Sequence, residues 1–193
     1  HDLEPLYHHI NISFSRSLHV AVCFYKNIDI EDKVKQSLII VLAMLLSDHV
    51  DENITIRGLM IAHGKNTATS IQTVVNSLCG NYLFDAIDMP INVGVSSIIQ
   101  EANALIDTFN TTKGFILMVD MGSLSQLYSE ISSHINGDLL VVNNLTTITA
   151  LDLALKMQQK MTFQEITNRV DQGYNIDTQY FEGVSQNINI LVS

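Results

Sequence analysis

The chain has 193 residues, 47% of them hydrophobic, and carries 10 Lys+Arg against 20 Asp+Glu for a formal net charge of −10. That length and apolar content suffice for one medium domain with extensions around a full core, and they exclude disorder as the general state. The acidic balance repels phosphate backbones and no segment forms a basic arm, so direct nucleic-acid contact by this stretch is not expected.

Taken in order, the chain opens on His1 and not Met, and reads as a piece of something longer. Its start, HDLEPLYHH, lacks the basic head and apolar run of a signal peptide. His8 and His9 are adjacent, point in different directions in either regular structure, and read as structural or incidental. Residues 17–25 (SLHVAVCFY) fit a strand or a helix equally well. Residues 32–49 predict a helix with an almost wholly apolar middle, expected to be buried against another surface. Within it LIIVLAMLL, at 38–46, is the longest apolar run, far short of the ~20 residues that cross a bilayer. A soluble, cytoplasmic protein without membrane contact is expected. Cys23 and Cys79 lie among apolar residues with neither a disulfide framework nor metal-ligand spacing, and read as reduced core thiols.

A regular alternation begins at Ile54. Residues 56–62 (IRGLMIA) form a short apolar run ended by His63 and Gly64. Residues 67–78 place Ile71, Val74, Val75 and Leu78 on one helical face, with Gly80 as the stop. Residues 83–89 suit a strand closed by Pro90, and 95–109 carry a helical stripe from Ile98 to Phe109. The run GFILMV at 114–119 has the continuous apolar character of a strand covered on both faces. A helix over 123–135, a strand over 138–142 and a helix over 146–157 complete the pattern. Beyond it, 162–171 looks helical, and 188–192 (INILV) reads as an edge strand or the first strand of a following module. Four strands alternating with four helices predict an α/β fold: an open, mostly parallel sheet of about four strands with helices on both faces, plus a helical N-terminal extension. The expected division is 1–53 as extension or end of a preceding module, 54–160 as the α/β domain, and 161–193 as helix and linker.

Ligands of such sheets lie beyond the carboxyl ends of the strands, where the winding reverses. The residues there are His63 with Gly64, Lys65, Asn66 and Thr67; Asp88; Asp120 with Met121, Gly122 and Ser123; and Asn143 with Asn144. A neutral imidazole is a competent nucleophile and leaving group for phosphoryl chemistry. Amides opening the next helix could hold the phosphoryl oxygens at Gly64 and Thr67, and again at Gly122 and Ser123. Asp120 could accept the other ring N–H of His63 and steady an imidazolium. Asp88 fits a cap or turn residue as well as a reactive one. Lys65 and Arg57 are expected to give the surroundings of His63 a positive or neutral surface. Taken alone, the residues support a soluble α/β domain with a polar rim.

The blocks GLMIAHGKNTATSIQTVVNSLCG, AIDMP at 86–90 and FILMVDMGSL at 115–124 resemble the mannose-type EIIA domain of the phosphoenolpyruvate-dependent sugar phosphotransferase system (PTS). The resemblance spans roughly 54–160. It implies that His63 accepts a phosphoryl group from the phosphocarrier HPr, with Asp120 beside it. Transport subunits carry a block like D-L-F-G-G-S-P, whereas here Asp120 is followed by Met121, Gly122, Ser123 and Leu124. That wording is closer to the EIIA-like domains of LevR-type sigma-54-dependent transcriptional regulators. The implied function is a phosphohistidine regulatory domain, transferase-like and not a stand-alone metabolic enzyme. Its implied partners are HPr, neighbouring modules of the same regulator and a second copy in a homodimer. The alternatives are a PTS EIIA-type subunit passing phosphate to a sugar-transport or dihydroxyacetone-kinase partner, and an unmodified scaffold that dimerises the regulator. No cofactor and no metal are expected.

Overall fold

The computed structural model describes residues 3–121 and 127–170. Three helices come first: α1 (Glu4–Ser13), α2 (Ser15–Tyr25) and α3 (Asp32–Leu46). The alternating part follows as β1 (Arg57–His63), α4 (Thr67–Cys79), β2 (Phe84–Met89), α5 (Val95–Ile106), β3 (Phe115–Val119), α6 (Leu127–Ile131), β4 (Leu139–Val142), α7 (Thr147–Gln158) and α8 (Phe163–Thr167). Residues 17–25, undecided between strand and helix, are helical. The expected helix over 123–135 is seen from Leu127 onward, with Ser132–His134 as a 3₁₀ turn. The run at 188–192 lies outside the described residues.

The four strands among the described residues are all parallel, in the order β2-β1-β3-β4. The strand residues divide by parity, as the pleat requires. Met60, Ala62, Phe84, Ile116 and Met118 pack with Ala68 and Val75 of α4 and Ala150, Leu153, Ala154 and Met157 of α7. Leu59, Ile61, Ile87, Met89, Leu117 and Val119 pack with Ile98, Ala102 and Ile106 of α5 and Leu127 and Ile131 of α6. Right-handed crossovers explain the assignment of faces. The chain moves one way from β1 to β2 and the opposite way from β2 to β3, so α4 and α5 fall on opposite sides. The reversal therefore lies between β1 and β3, where the carboxyl ends open a crevice.

The helix ends follow local chemistry. Gly80 closes α4 in the left-handed region with φ 62°. Thr146 caps α7 by accepting from the Thr149 N–H, and Thr162 with Glu165 makes the corresponding reciprocal pair on α8.

The N-terminal helices carry a core of their own, built from Ile10, Leu18, Ala21, Ile39, Ile40 and Ala43. They join the sheet through polar groups. Arg16 donates from Nη1 to the Ile54 carbonyl at 3.0 Å and from Nη2 to the Tyr82 carbonyl. Glu52 accepts from the Arg16 and Ser17 N–H groups, both at 2.9 Å, and from the Ser17 hydroxyl at 2.6 Å, so it caps α2 from outside that helix. Burial disfavours the charged forms of Arg16 and Arg57, and the neighbouring Arg16 charge adds to the effect on Arg57; Glu52 opposes it in both.

Helix α3 meets the expectation of burial on one side only. Ile39, Ile40 and Ala43 are covered, while Val34, Leu38, Val41, Met44 and Leu45 face outward. One packing partner covers one stripe of a helix, and an apolar circumference leaves the rest exposed.

Candidate functional site

His63 is the last residue of β1 and pairs in register with Met89 on one side. On the other side β3 ends at Val119, which is paired with Ile61, so Asp120 emerges beside His63 across the crevice. Two hydrogen bonds tie these residues together. The His63 N–H donates to Asp120 Oδ2 at 3.0 Å, and ring Nδ1 lies 3.1 Å from Asp120 Oδ1. An ionised carboxylate only accepts, so Nδ1 carries the proton and the lone pair sits on Nε2. The side chains are 30% and 21% exposed, so the ring is reachable by solvent and its far nitrogen is steadied by a carboxylate.

Gly64 follows with φ +113°, outside the range of most side chains. A Cβ there would also stand 2.4 Å from Thr67 Oγ1. The Gly64 N–H returns to the Met89 carbonyl at 2.8 Å, which turns the chain off the strand. Thr67 is exposed at the first turn of α4, with its hydroxyl over Gly64. The structure thus gathers His63, Asp120, Gly64 and Thr67 at one rim. Gly122 and Ser123 lie outside the described residues.

Asp88 has another task. Its Oδ1 accepts from the Ala68 and Thr69 N–H groups at 2.8 and 3.3 Å, and its Oδ2 accepts from the Thr69 hydroxyl. It caps α4 across the chain, and those two amides are taken. Among the described residues the N–H groups of Lys65, Asn66 and Thr67 keep no acceptor and stay open.

The expectation for Arg57 is corrected. It begins β1 at the opposite end from His63, is 5% exposed, and donates from Nη2 to Ser15 Oγ at 2.8 Å. A strand fully extended over seven residues separates its ends by about 20 Å. Of the two cations only Lys65 stays near His63, and it is exposed. Asn143 and Asn144 follow β4 and are exposed, as are His8 and His9 on α1.

Residues 58–171 match the EIIA-man family, the PTS system fructose IIA component. The chain belongs to that family. Within curated proteins, this EIIA-man chain is 31% identical over 121 residues to the transcriptional regulatory protein LevR of Bacillus subtilis (strain 168). It is 33% identical over 121 residues to the transcriptional regulatory protein DagR of Salmonella typhimurium (strain 14028s / SGSC 2262). Those matches cover 62% and 63% of this chain but only 13% of either relative. A crystal structure of a sigma-54 interaction domain protein from Enterococcus faecalis aligns with a TM-score of 0.55 at 18% identity. That alignment covers 62% of this chain and 90% of the other, and it shows the shared fold. The expected resemblance to EIIA-man and to regulator-borne relatives is borne out. Among the described residues no helix is long and apolar enough to cross a membrane.

One polar cluster has no counterpart in the sequence reading. His19 Nε2 lies 2.8 Å from Asp85 Oδ2, and Cys23 Sγ lies 3.3 Å from His19 Nε2 and 3.6 Å from Asp85 Oδ1. The only available signal was the i, i+4 spacing of His19 and Cys23, and that needs α2 to be helical. Burial, then the Asp85 charge, pushes the Cys23 thiol up to about 12. The same causes raise Tyr82, whose hydroxyl donates to Asp85 Oδ1 at 2.8 Å.

Proposed function

We propose that residues 54–160 are a phosphoacceptor regulatory domain of a bacterial sugar-responsive transcriptional regulator, phosphorylated by HPr on His63. The observation that carries this is the Nδ1–H to Asp120 bond, which leaves Nε2 as the nucleophile at an accessible rim. The Nε2 lone pair attacks phosphorus, the P–N bond of the donor phosphohistidine breaks, and its electron pair returns to the donor ring. The proton on Nδ1 stays, and Asp120 balances the positive charge that the ring gains. Open amides at Lys65, Asn66 and Thr67 supply donors for the phosphoryl oxygens, with Gly64 allowing close approach and Thr67 adding a hydroxyl. Gly122 and Ser123, which follow Asp120 and Met121 in sequence, belong to the same proposal as further donors.

The two curated relatives are transcriptional regulators, which supports a regulatory outcome over onward transfer to a sugar. A dianionic group replacing a neutral ring changes packing against neighbouring modules of the same polypeptide. On this reading residues 1–53 are an N-terminal extension or the end of a preceding module, and 161–193 lead toward a following one. The domain works in the cytoplasm, and the outward apolar side chains of α3 favour a homodimer, which mass measurement at several concentrations checks.

Labelling with HPr, enzyme I and phosphoenolpyruvate tests the site. His63→Ala abolishes the label, whereas His8→Ala and His9→Ala keep it. Persistent label in His63→Ala refutes the assignment. A wild type that stays unlabelled while HPr turns over supports the unmodified scaffold instead.

A further inference from the structure

His19 and Cys23 stand one turn apart on α2, and the docking of α2 beside β2 sets both against Asp85. One ligand atom from each residue, a ring nitrogen, Sγ and a carboxylate oxygen, lies within 4.8 Å of the other two. His19 and Asp85 are 3% and 5% exposed, so this is no solvated surface cluster. The orientation of the His19 ring is fixed from behind. Thr108 Oγ1 donates its one proton to the Leu105 carbonyl at 2.6 Å, so its contact with His19 Nδ1 at 3.2 Å is an N–H donated to the hydroxyl oxygen. Nε2 is left to face a carboxylate and a thiol. In ligating histidines the second nitrogen is held by just such an outer hydrogen bond. The rear face of the ring is closed by Phe109, 4.4 Å away between centroids. Asp85 is oriented in turn by the Tyr82 hydroxyl.

We propose that His19 Nε2, Cys23 Sγ and Asp85 form a three-ligand site for a divalent ion of the zinc class, set between α2 and β2. The donor set is the nitrogen, thiolate and carboxylate combination that zinc takes in tetrahedral geometry. Ideal bonds separate such donors by roughly 3.3–3.6 Å, the range of the Cys23 Sγ contacts with His19 Nε2 and Asp85 Oδ1, while Asp85 Oδ2, 2.8 Å from Nε2, would give up its hydrogen bond to the ring. A cleft of about 220 Å³, lined by Cys23, Tyr82 and Asp85 among others, gives an entry path and room for a water as fourth ligand. Binding forms bonds from the metal to Nε2, Sγ and a carboxylate oxygen, and releases to solvent the thiol proton together with the proton held in the 2.8 Å hydrogen bond between His19 Nε2 and Asp85 Oδ2. The ion would clasp the N-terminal helices to the edge strand of the EIIA-man fold, more than twenty positions in sequence from His63 and on a different strand from it.

The test uses the 193-residue chain freed of metal with a chelator. Calorimetric titration with zinc is expected to show one ion per chain, and cobalt to give the near-ultraviolet band of a thiolate ligand. Cys23→Ser, close in size, is expected to remove that band and weaken zinc at least about 100-fold; Thr108→Val, which keeps all three ligands, is expected to weaken it about 10-fold or more. A wild type that takes up no zinc overturns the proposal. So does zinc binding of undiminished strength in Cys23→Ser, or a cobalt complex without the thiolate band. Asp85→Asn adds a third arm where it folds, and the wild-type cobalt spectrum decides the matter without any substitution.

Discussion

Asp120→Asn probes the proposed chemistry most sharply, because both carboxylate oxygens are in use. One takes the His63 N–H at 3.0 Å and the other the ring Nδ1–H at 3.1 Å. An asparagine has one acceptor oxygen. If that oxygen takes the backbone N–H, the amide NH₂ points at the ring, Nδ1 must become an acceptor, and the proton moves to Nε2. The nucleophilic lone pair is then lost. If the oxygen faces the ring instead, the NH₂ opposes the backbone N–H, and the negative charge that steadied the imidazolium is gone in either case. A hydrogen bond to a charged partner contributes about 1.5–3 kcal/mol, and with the pair 30% and 21% exposed a value of about 2 kcal/mol applies. That is roughly a 30-fold slower phosphorylation before any tautomer effect is added. The assay is the initial rate of label transfer from phospho-HPr, with a thermal melt to show that the fold persists. Phosphorylation of Asp120→Asn within about threefold of wild type, less than 1 kcal/mol, would refute the assigned role.

Asp88→Ala separates a cap from a reactive group: losing the α4 cap should lower stability by about 1–2 kcal/mol in denaturant titration while His63 is still labelled. Glu52→Ala strips three hydrogen bonds from the start of α2 and a counter-charge from Arg16 and Arg57. A loss of about 3 kcal/mol is expected, read as a melting temperature roughly 9 °C lower. The metal-free protein should lose stability as pH rises above 9.0, the ordinary thiol value, because the folded chain keeps the Cys23 and Tyr82 protons that the unfolded chain releases. Each retained proton costs up to about 1.4 kcal/mol per pH unit across that window, and Cys23→Ser should flatten the decline in urea titrations from pH 7 to alkaline values.

The α/β part was legible because its signals are local. Continuous apolar runs such as GFILMV mark strands covered on both faces, and Gly80 and Pro90 punctuate them. The rim pair was legible for a topological reason: strand ends and the reversal of winding place His63 and Asp120 together whatever the loops do. Arg57 was misplaced because proximity in sequence was read as proximity in space, although a strand carries its two ends far apart. Residues 1–53 resisted for a different cause. Helix α2 buries Arg16, Ser17 and His19, polar residues that break the apolar stripe and acquire meaning only from partners at Glu52, Ile54, Tyr82 and Asp85. Long-range polar docking leaves no periodicity to detect.

The position of β1 in the sheet shapes how this protein is born. Both of its neighbours, β2 and β3, are synthesised after it, and the latter begins only at Phe115. A nascent chain must carry β1, with its apolar Leu59–Ala62 run, without ladder partners while a helix and a turn are still being added. His63 acquires its carboxylate neighbour only once the ribosome has passed Asp120. Competence for the proposed chemistry is consequently a late event in translation, and the helices preceding β1, whose apolar residues pack among themselves, do not stand in for its missing neighbours.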